Sequence, residues 1–194
     1  MSVNKPPGKI RIIGGMWRGR KLLVPALPDL RPTPDRVRVT LFNWLQPMIE
    51  GAVCLDLFAG TGALGFEATS RGAARVVMVE QDPRLARGIE EQRQHLDCAS
   101  IEIVRAEALA WLVATGEVFD LVFLDPPFKK NLIGPTCEIL LNKRHLHPKS
   151  RVYVESEPGV CGGEGLVDNF RIHRQSHAGQ VEYTLLVREE QAEQ

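Results

Sequence analysis

No stretch of the 194-residue sequence approaches the roughly 20 consecutive apolar residues that a helix needs to cross a bilayer. The opening residues, Met1–Lys9, also lack the apolar core of a secretory signal. No membrane partner is expected, and a cytoplasmic location is. Cysteine is scarce: Cys54, Cys98, Cys137 and Cys161 lie far apart and form no C-x-x-C pair. This spacing argues for reduced core thiols and against a zinc site or a disulfide framework. His145-x-His147 reads as an isolated loop pair with no carboxylate or cysteine nearby, so no metal is expected. Internal repeats and low-complexity segments are absent as well. What remains, 44% apolar and 25% charged residues, is an ordinary globular composition, and the chain is long enough for one sizeable core.

Net charge is also missing, with 24 basic and 24 acidic side chains, but the two signs are not mixed evenly. Residues 1–40 carry nine basic groups against Asp29 and Asp35, an excess of seven, and the remainder carries an equal acidic excess. A basic arm on an acidic body points to a polyanionic partner, most simply nucleic acid, against the plainer reading of a solvated tail. Lys9–Val24 reads as a small hairpin with basic edges, and Pro25–Leu30 as a linker. Thr33-Pro34-Asp35 then predicts a helix start, with Thr33 as the cap and Pro34 in the first turn. Val37, Leu41, Leu45 and Met48 form the apolar stripe of that helix, leaving Arg36 and Arg38 to face a ligand. The RNA-contact candidates are Arg11, Arg18, Arg20, Arg31, Arg36 and Arg38.

From Ala52 onward strands and helices alternate. Val53–Phe58, Arg75–Glu80, Ile101–Arg105, Asp120–Asp125 and Ser150–Glu155 read as strands, with helices between them over Ala63–Arg71, Pro83–Leu96, Glu107–Thr115 and Leu132–Leu141. Such repetition makes an α/β fold with a mostly parallel sheet covered on both faces. Asn169–His177 and Gln180–Arg188 close the chain as an antiparallel hairpin. The expected division is a basic extension over residues 1–50 and a ligand-binding domain over 51–190.

Open sheets of this kind bind ligands at the carboxyl ends of their strands. Val53–Gly65 forms a strand, a glycine turn and a helix start, the elements of a nucleotide-binding corner. Its spacing Gly60-x-Gly62-x-x-Gly65 also fits a dinucleotide fingerprint, so a nicotinamide-dependent oxidoreductase is one alternative. Glu80, twenty positions after Gly60, stands where a ribose-binding acid is expected, with Gln81 and Asp82 beside it. Ala106 and Glu107 would border an adenine, although Glu107 is equally well read as a residue of the helix first turn. Asp125-Pro126-Pro127-Phe128 ends the fourth strand with two fixed acceptors, the Asp125 carboxylate and the Pro126 carbonyl, beside an aromatic face. That set suits the exocyclic amine of a nucleobase stacked on Phe128, which a hydride-transfer enzyme does not need.

The run Asp56-Leu-Phe-Ala-Gly-Thr-Gly-Ala-Leu-Gly65, with Glu80 and Asp125-Pro-Pro-Phe128, resembles class I S-adenosylmethionine-dependent methyltransferases acting on an amino nitrogen. Arg11-Ile-Ile-Gly-Gly-Met-Trp-Arg-Gly-Arg20, Arg31–Leu45 and Val152-Tyr-Val-Glu-Ser156 narrow the resemblance to the bacterial 16S ribosomal RNA guanine-N2 methyltransferase D family. It implies a Rossmann-like sheet of seven strands, with methyl transfer from S-adenosyl-L-methionine, leaving S-adenosyl-L-homocysteine, to N2 of guanine 966 in small-subunit rRNA. The substrate is then an assembled or assembling small subunit, and the enzyme a monomer that uses no metal. The implied catalytic residues are Asp125, Pro126, Pro127 and Phe128. The implied cofactor contacts are Asp56, Phe58, Gly60, Thr61, Gly62, Glu80, Gln81, Ala106, Glu107 and Asp125. Arg105-Ala106-Glu107 departs from the Asp or Asn that many such enzymes place near the adenine. A DNA adenine-N6 methyltransferase shares the Asp-Pro-Pro-aromatic motif, but this chain has no added target-recognition domain. A non-catalytic RNA-binding assembly factor is the third alternative, against which Asp125 and its prolines count.

Overall fold

The computed structural model describes residues 8–24, 33–128, 130–161 and 169–189. Strands β1 (Gly8–Arg11) and β2 (Lys21–Val24) form the expected basic hairpin. Helix α1 spans Asp35–Leu45. The alternating region follows as β3 (Val53–Asp56), α2 (Ala63–Ser70), β4 (Arg75–Val79), α3 (Pro83–His95), β5 (Ile101–Val104), α4 (Ala108–Ala114), β6 (Phe119–Leu124), α5 (Ile133–Asn142) and β7 (Leu146–Ser156). Strands β8 (Phe170–Ala178) and β9 (Val181–Arg188) end it. The Pro25–Leu30 linker lies outside the described residues.

Seven strands pair in the order β5-β4-β3-β6-β7-β9-β8. The first five are mutually parallel, because each is joined to the next by a helical crossover. β9 runs antiparallel to β7, and β8 antiparallel to β9, as a two-residue turn requires. Two cores cover the sheet. The hairpin, α1, α2 and Ile89 of α3 pack on one face against Cys54, Val76, Met78, Phe123 and Tyr153. α4 and α5 pack on the other against Leu55, Val77, Val122, Leu124 and Val154. The near-continuous apolar runs of β3, β4 and β6 reflect this burial on both sides.

Helix α2 is buried along its whole length, and this forces its polar residues to find partners. Glu67 lies at 0% exposure and accepts the N–H groups of Ile13 and Gly14, each at 2.8 Å. Arg71 Nε donates to it at 2.8 Å, and Arg38 Nη1 stands 3.5 Å away. Ser70 Oγ accepts from the Trp17 N–H and donates to the Gly14 carbonyl. The hairpin is thus seated on α2 by buried polar bonds as well as by Ile12 and Trp17.

Two expectations for α1 fail here. Arg38, expected to face a ligand, is fully buried. Its Nη2 donates to Asp35 Oδ1 at 2.7 Å and to the Arg11 carbonyl at 2.8 Å. Thr33 does not cap the helix: Pro34 occupies the N-cap position and no side chain caps it. The Thr33 hydroxyl instead points across the fold to Asp125, 3.3 Å from its Oδ2.

Removing one partner of a buried ion pair leaves the other charge uncompensated. Glu67→Ala is therefore expected to lower the unfolding free energy by about 3–5 kcal/mol in urea titration. A loss below about 1 kcal/mol would show that hairpin and helix are held by apolar packing alone.

Candidate active site

Four carboxylates close four neighbouring strands. Asp56 ends β3, Glu80 and Asp125 follow β4 and β6 directly, and Glu155 stands at the penultimate position of β7. Two residues before each lie Cys54, Met78, Phe123 and Tyr153, all in the core on the α1–α2 face. Strand alternation therefore puts all four acids on that face, at the carboxyl edge.

Between β3 and α2 the chain turns through Gly60 and Gly62, at φ 55° and 75°, a region costly for any residue with a Cβ. A Cβ on Gly65 would lie 2.3 Å from Met78 Cε, so α2 sits closer to β4 than a side chain permits. Asp56 reaches under this turn, and its Oδ2 accepts the Gly65 N–H at 3.0 Å. Burial pushes its carboxyl up to about 7 against that bond, and the charges of Asp125 and Glu80 add to the rise. Glu80 accepts the N–H of Gly60 at 2.7 Å and of Asp82 at 2.8 Å. Burial raises its pKa too, opposed by these bonds. A carboxylate offers about four acceptor sites, so acceptor capacity remains for a ligand hydroxyl. Phe58 and Gly60 are half-buried beside it, Thr61 and Gly62 are buried, and Gln81 is exposed.

Asp125 is half-buried, and burial raises its pKa while the Thr33 hydroxyl opposes the rise. Pro126 is buried, Pro127 exposed, and Phe128 is 41% exposed. A cavity of about 220 Å³ opens beside this loop, lined by Pro126, Pro127, Phe128, Pro135 and Glu155. The edge is therefore acidic along its length, with an aromatic at its rim. A dinucleotide pyrophosphate at the α2 N-terminus would meet Asp56 and its neighbours. A ligand with cationic centres and a ribose would be complemented by the same groups.

The chain is 46% identical over 187 residues to ribosomal RNA small subunit methyltransferase D of Escherichia coli (strain K12), covering 96% of itself and 93% of that protein. The Haemophilus influenzae protein of that name is 46% identical over 154 residues, 77% of this chain and 80% of the relative. The chain belongs to the ribosomal RNA small subunit methyltransferase D family. A family model described as conserved hypothetical protein 95 matches residues 10–187. The solved structure of Escherichia coli yhhF superposes with a TM-score of 0.84 at 44% identity, covering 95% of this chain and 100% of that one. SMU.776, solved in complex with SAH, shares only the fold: TM-score 0.64 and 16% identity, covering 88% of this chain and 52% of that one. The sheet is the class I S-adenosylmethionine-dependent methyltransferase fold, and the acidic edge with its open glycine turn fits that cofactor.

The structure brings Asp56, Gly60, Thr61, Gly62, Glu80 and Asp125 to one edge. Ala106, half-buried, and Glu107 follow β5 at the same edge. Glu107, however, caps α4, accepting the N–H groups of Leu109 at 3.1 Å and Ala110 at 2.7 Å. The capping half of its double reading is therefore present in the structure. Arg11, Arg18, Arg20 and Arg36 are exposed on the hairpin and α1, and Arg31 lies outside the described residues. His147 is not an isolated loop residue: it belongs to β7, and its Nε2 is 2.6 Å from Asp120 Oδ1. His145 is buried, with its ring nitrogens on the Glu117 and Leu112 carbonyls. Among the described residues no three His, Cys, Asp or Glu side chains are grouped to hold a metal. Among the described residues, no helix is long and apolar enough to cross a membrane. Thr33 and Glu155 were missed from sequence as site residues. An acid closing the apolar run Val152–Val154 repeats the pattern of Asp56, Glu80 and Asp125, and could have been found by it.

The Asp56 shift makes stability depend on pH with a definite sign. The folded state holds a proton that the unfolded chain releases near 3.9, so this group stabilises fully below about 4 and its contribution is lost as pH rises through about 7. Asp56→Asn should therefore gain upwards of about 1 kcal/mol on the wild type between pH 5 and pH 8 in ligand-free urea titrations. An offset that does not change with pH would put Asp56 in the ordinary carboxylate range.

Proposed function

We propose that the chain methylates the exocyclic N2 amine of a guanine in 16S rRNA, guanine 966, within the assembled or assembling small subunit, as a monomer in the cytoplasm. Asp125 carries this reading. It stands at the carboxyl edge with Glu80 and the glycine turn, and the three residues that follow it, Pro126, Pro127 and Phe128, line the cavity. A cofactor seated on the turn and a base in the cavity would meet at its carboxylate. The 46% identity to methyltransferase D supports the rRNA substrate.

When bound, S-adenosylmethionine supplies an electrophilic methyl group on a sulfonium. Glu80 accepts its ribose hydroxyls, and Asp56 and the turn from Phe58 to Gly62 hold its charged end; Gln81 and Ala106 border it. Guanine N2 is a weak nucleophile because its lone pair is delocalised into the ring. The Asp125 carboxylate and the Pro126 carbonyl accept its two hydrogens and draw the lone pair out of conjugation. Pro126 and Pro127 restrict the loop, so these acceptors are held before the base arrives. Phe128 stacks on the base, which must leave its own stack or lie in an open loop to reach the cavity. Catalysis is then mostly positioning, with Asp125 taking the proton that N2 loses.

Residues 1–50 serve in this reading as an RNA-facing extension of the cofactor domain over 51–190, although hairpin and α1 share its core. Arg11, Arg18, Arg20 and Arg36 supply phosphate contacts, with Arg31 between them in sequence. Arg38 is removed from that set by its burial.

Asp125→Ala should abolish methyl transfer to small subunits from a strain lacking the enzyme, with calorimetric cofactor affinity at most modestly changed. Retention of more than about a tenth of turnover, or less than about 1.4 kcal/mol of barrier, removes Asp125 from the reaction. Radiolabel mapped to a nucleotide other than guanine 966 would reassign the target.

Neutralising Arg18, Arg20 and Arg36 together should weaken subunit binding and flatten its log–log salt dependence by roughly 0.7–0.9 for each phosphate no longer neutralised. Cofactor binding should be unchanged. Wild-type affinity and slope in the triple variant would make the arm a solvated face.

A further inference from the structure

Glu155 is a buried acid that the reaction above leaves unused. The parallel register pairs Leu124 with Val154, so the residues that follow, Asp125 and Glu155, stand side by side at the ends of β6 and β7. Neighbouring strands run about 4.8 Å apart, and alternation turns both side chains to the α1–α2 face. Beneath them Phe123 and Tyr153 meet edge to face with centroids 6.3 Å apart, which holds the two strand ends in place. Glu155 is 3% exposed, and its Oε1 accepts the Tyr153 hydroxyl at 2.9 Å. The Thr33 hydroxyl donates to Asp125 Oδ2 at 3.3 Å and lies near enough to Glu155 to act on its charge. One hydroxyl can donate to an ionised carboxylate while accepting from a protonated one. Two adjacent carboxylates in a buried setting do not both ionise readily.

We propose that Asp125 and Glu155 form a carboxyl pair bridged by Thr33, which holds one proton in the resting enzyme, on Glu155. Glu155 is then a positioning residue. Its neutral carboxyl donates to Thr33, Thr33 donates to Asp125, and Asp125 is left as the anion that faces the amino group. The proposal rests on Asp125 as the proton acceptor in methyl transfer. As the N2–carbon bond forms, the methyl–sulfur bond breaks with its electron pair on sulfur, and one N2 proton passes to Asp125. Both acids are then neutral, and the pair returns to rest by releasing one proton to water from the half-buried Asp125.

The groups that bear on Glu155 are Asp125 on β6, Asp56 on β3, Tyr153 on its own strand, Thr33 before α1, and Tyr183, its register partner on β9. Burial pushes Glu155 up and the Asp125 and Asp56 charges push it further; the Tyr153 bond opposes them, as Thr33 does only where its hydroxyl donates to Glu155 rather than, as in the pair, to Asp125. Asp125 is raised by burial as well.

Glu155→Gln keeps an acceptor for Tyr153 and a donor for Thr33 while fixing the group in its neutral form. Wild-type single-turnover methyl transfer to small subunits should be bell-shaped in pH. It falls at low pH as Asp125 protonates and at high pH as Glu155 ionises. E155Q should keep the acid limb and a neutral-pH rate within about threefold of wild type, and lose the alkaline limb. Tyr153→Phe removes a bond that favours ionised Glu155 and should move the alkaline limb to higher pH; it decides the matter if E155Q does not fold. Infrared difference spectra of the ligand-free proteins at neutral pH should show, beyond the contribution of Asp56, a protonated-carboxyl band in wild type that E155Q lacks. That band reports the pair whether or not rRNA is the substrate, so a protein with the band and no methyl transfer refutes the activity and not the pair. An unchanged alkaline limb in E155Q, an unmoved one in Y153F, or no Glu155-dependent band overturns the proposal.

Discussion

The Glu67 carboxylate is fully buried within α2 and is met from three directions. The hairpin offers it two backbone N–H groups, α1 offers Arg38, and the end of α2 itself offers Arg71. Arg71 in turn lies 5.1 Å from the ring centroid of Phe42 on α1. Each of these elements would have a polar or cationic group stranded in an apolar core without the others. The arrangement therefore specifies one seating of hairpin and helix on the sheet, which apolar packing alone leaves less sharply defined. Its reach extends to the chemistry, because α1 begins two residues after Thr33, and Thr33 bonds Asp125. A buried charge in α2 thus helps set the orientation of a carboxylate at the far end of β6.

The carboxyl edge stands under the opposite constraint. Asp56, Glu80, Asp125 and Glu155 all have pKa values raised by burial, so each costs stability as it ionises. A sheet built for stability alone would end these strands with apolar or capping residues. The cost is borne at the place where a cofactor with cationic centres binds, and ligand charge offsets the repulsion that burial creates. The fold holds the edge together from beneath by apolar contact, as in the Phe42–Phe123 and Phe123–Tyr153 ring pairs. Strain at the site is compensated by the core directly below it.

Much of this was legible in the sequence because local signals and tertiary roles agree. The apolar runs closed by Asp56, Glu80 and Asp125 marked both the strands and the edge, and the spacing of Gly60, Gly62 and Gly65 marked the turn. Where one local rule competed with a distant partner, the reading failed. Thr33 before Pro34 and Asp35 has the composition of a helix cap, but its hydroxyl is taken by a residue 92 positions away. Arg38 reads as solvent-facing beside the stripe of Val37, Leu41 and Leu45, yet its partner Glu67 comes from another helix and pulls it inside. Glu107 satisfied both a ligand and a capping rule, and the structure shows the cap. His147 looked alone only because Asp120 lies on the neighbouring strand.

The proposed function requires an acidic edge to face a polyanion. Counted by formal charge, the body of the chain should repel RNA where the cavity opens. Burial changes that count, since Asp56 and Glu155, raised to about 7 and about 8, retain protons near neutrality and present less negative charge than their number suggests. The exposed arginines of the hairpin and α1 add a positive field from beside the edge. At physiological ionic strength such a field is screened over about 8 Å, so it acts on phosphates near the arm and leaves the cavity chemistry largely alone. The arm and the edge can therefore carry opposite charges in one small domain without cancelling each other. That separation requires the arm to be fixed in position, and the buried carboxylate of Glu67 is what fixes it.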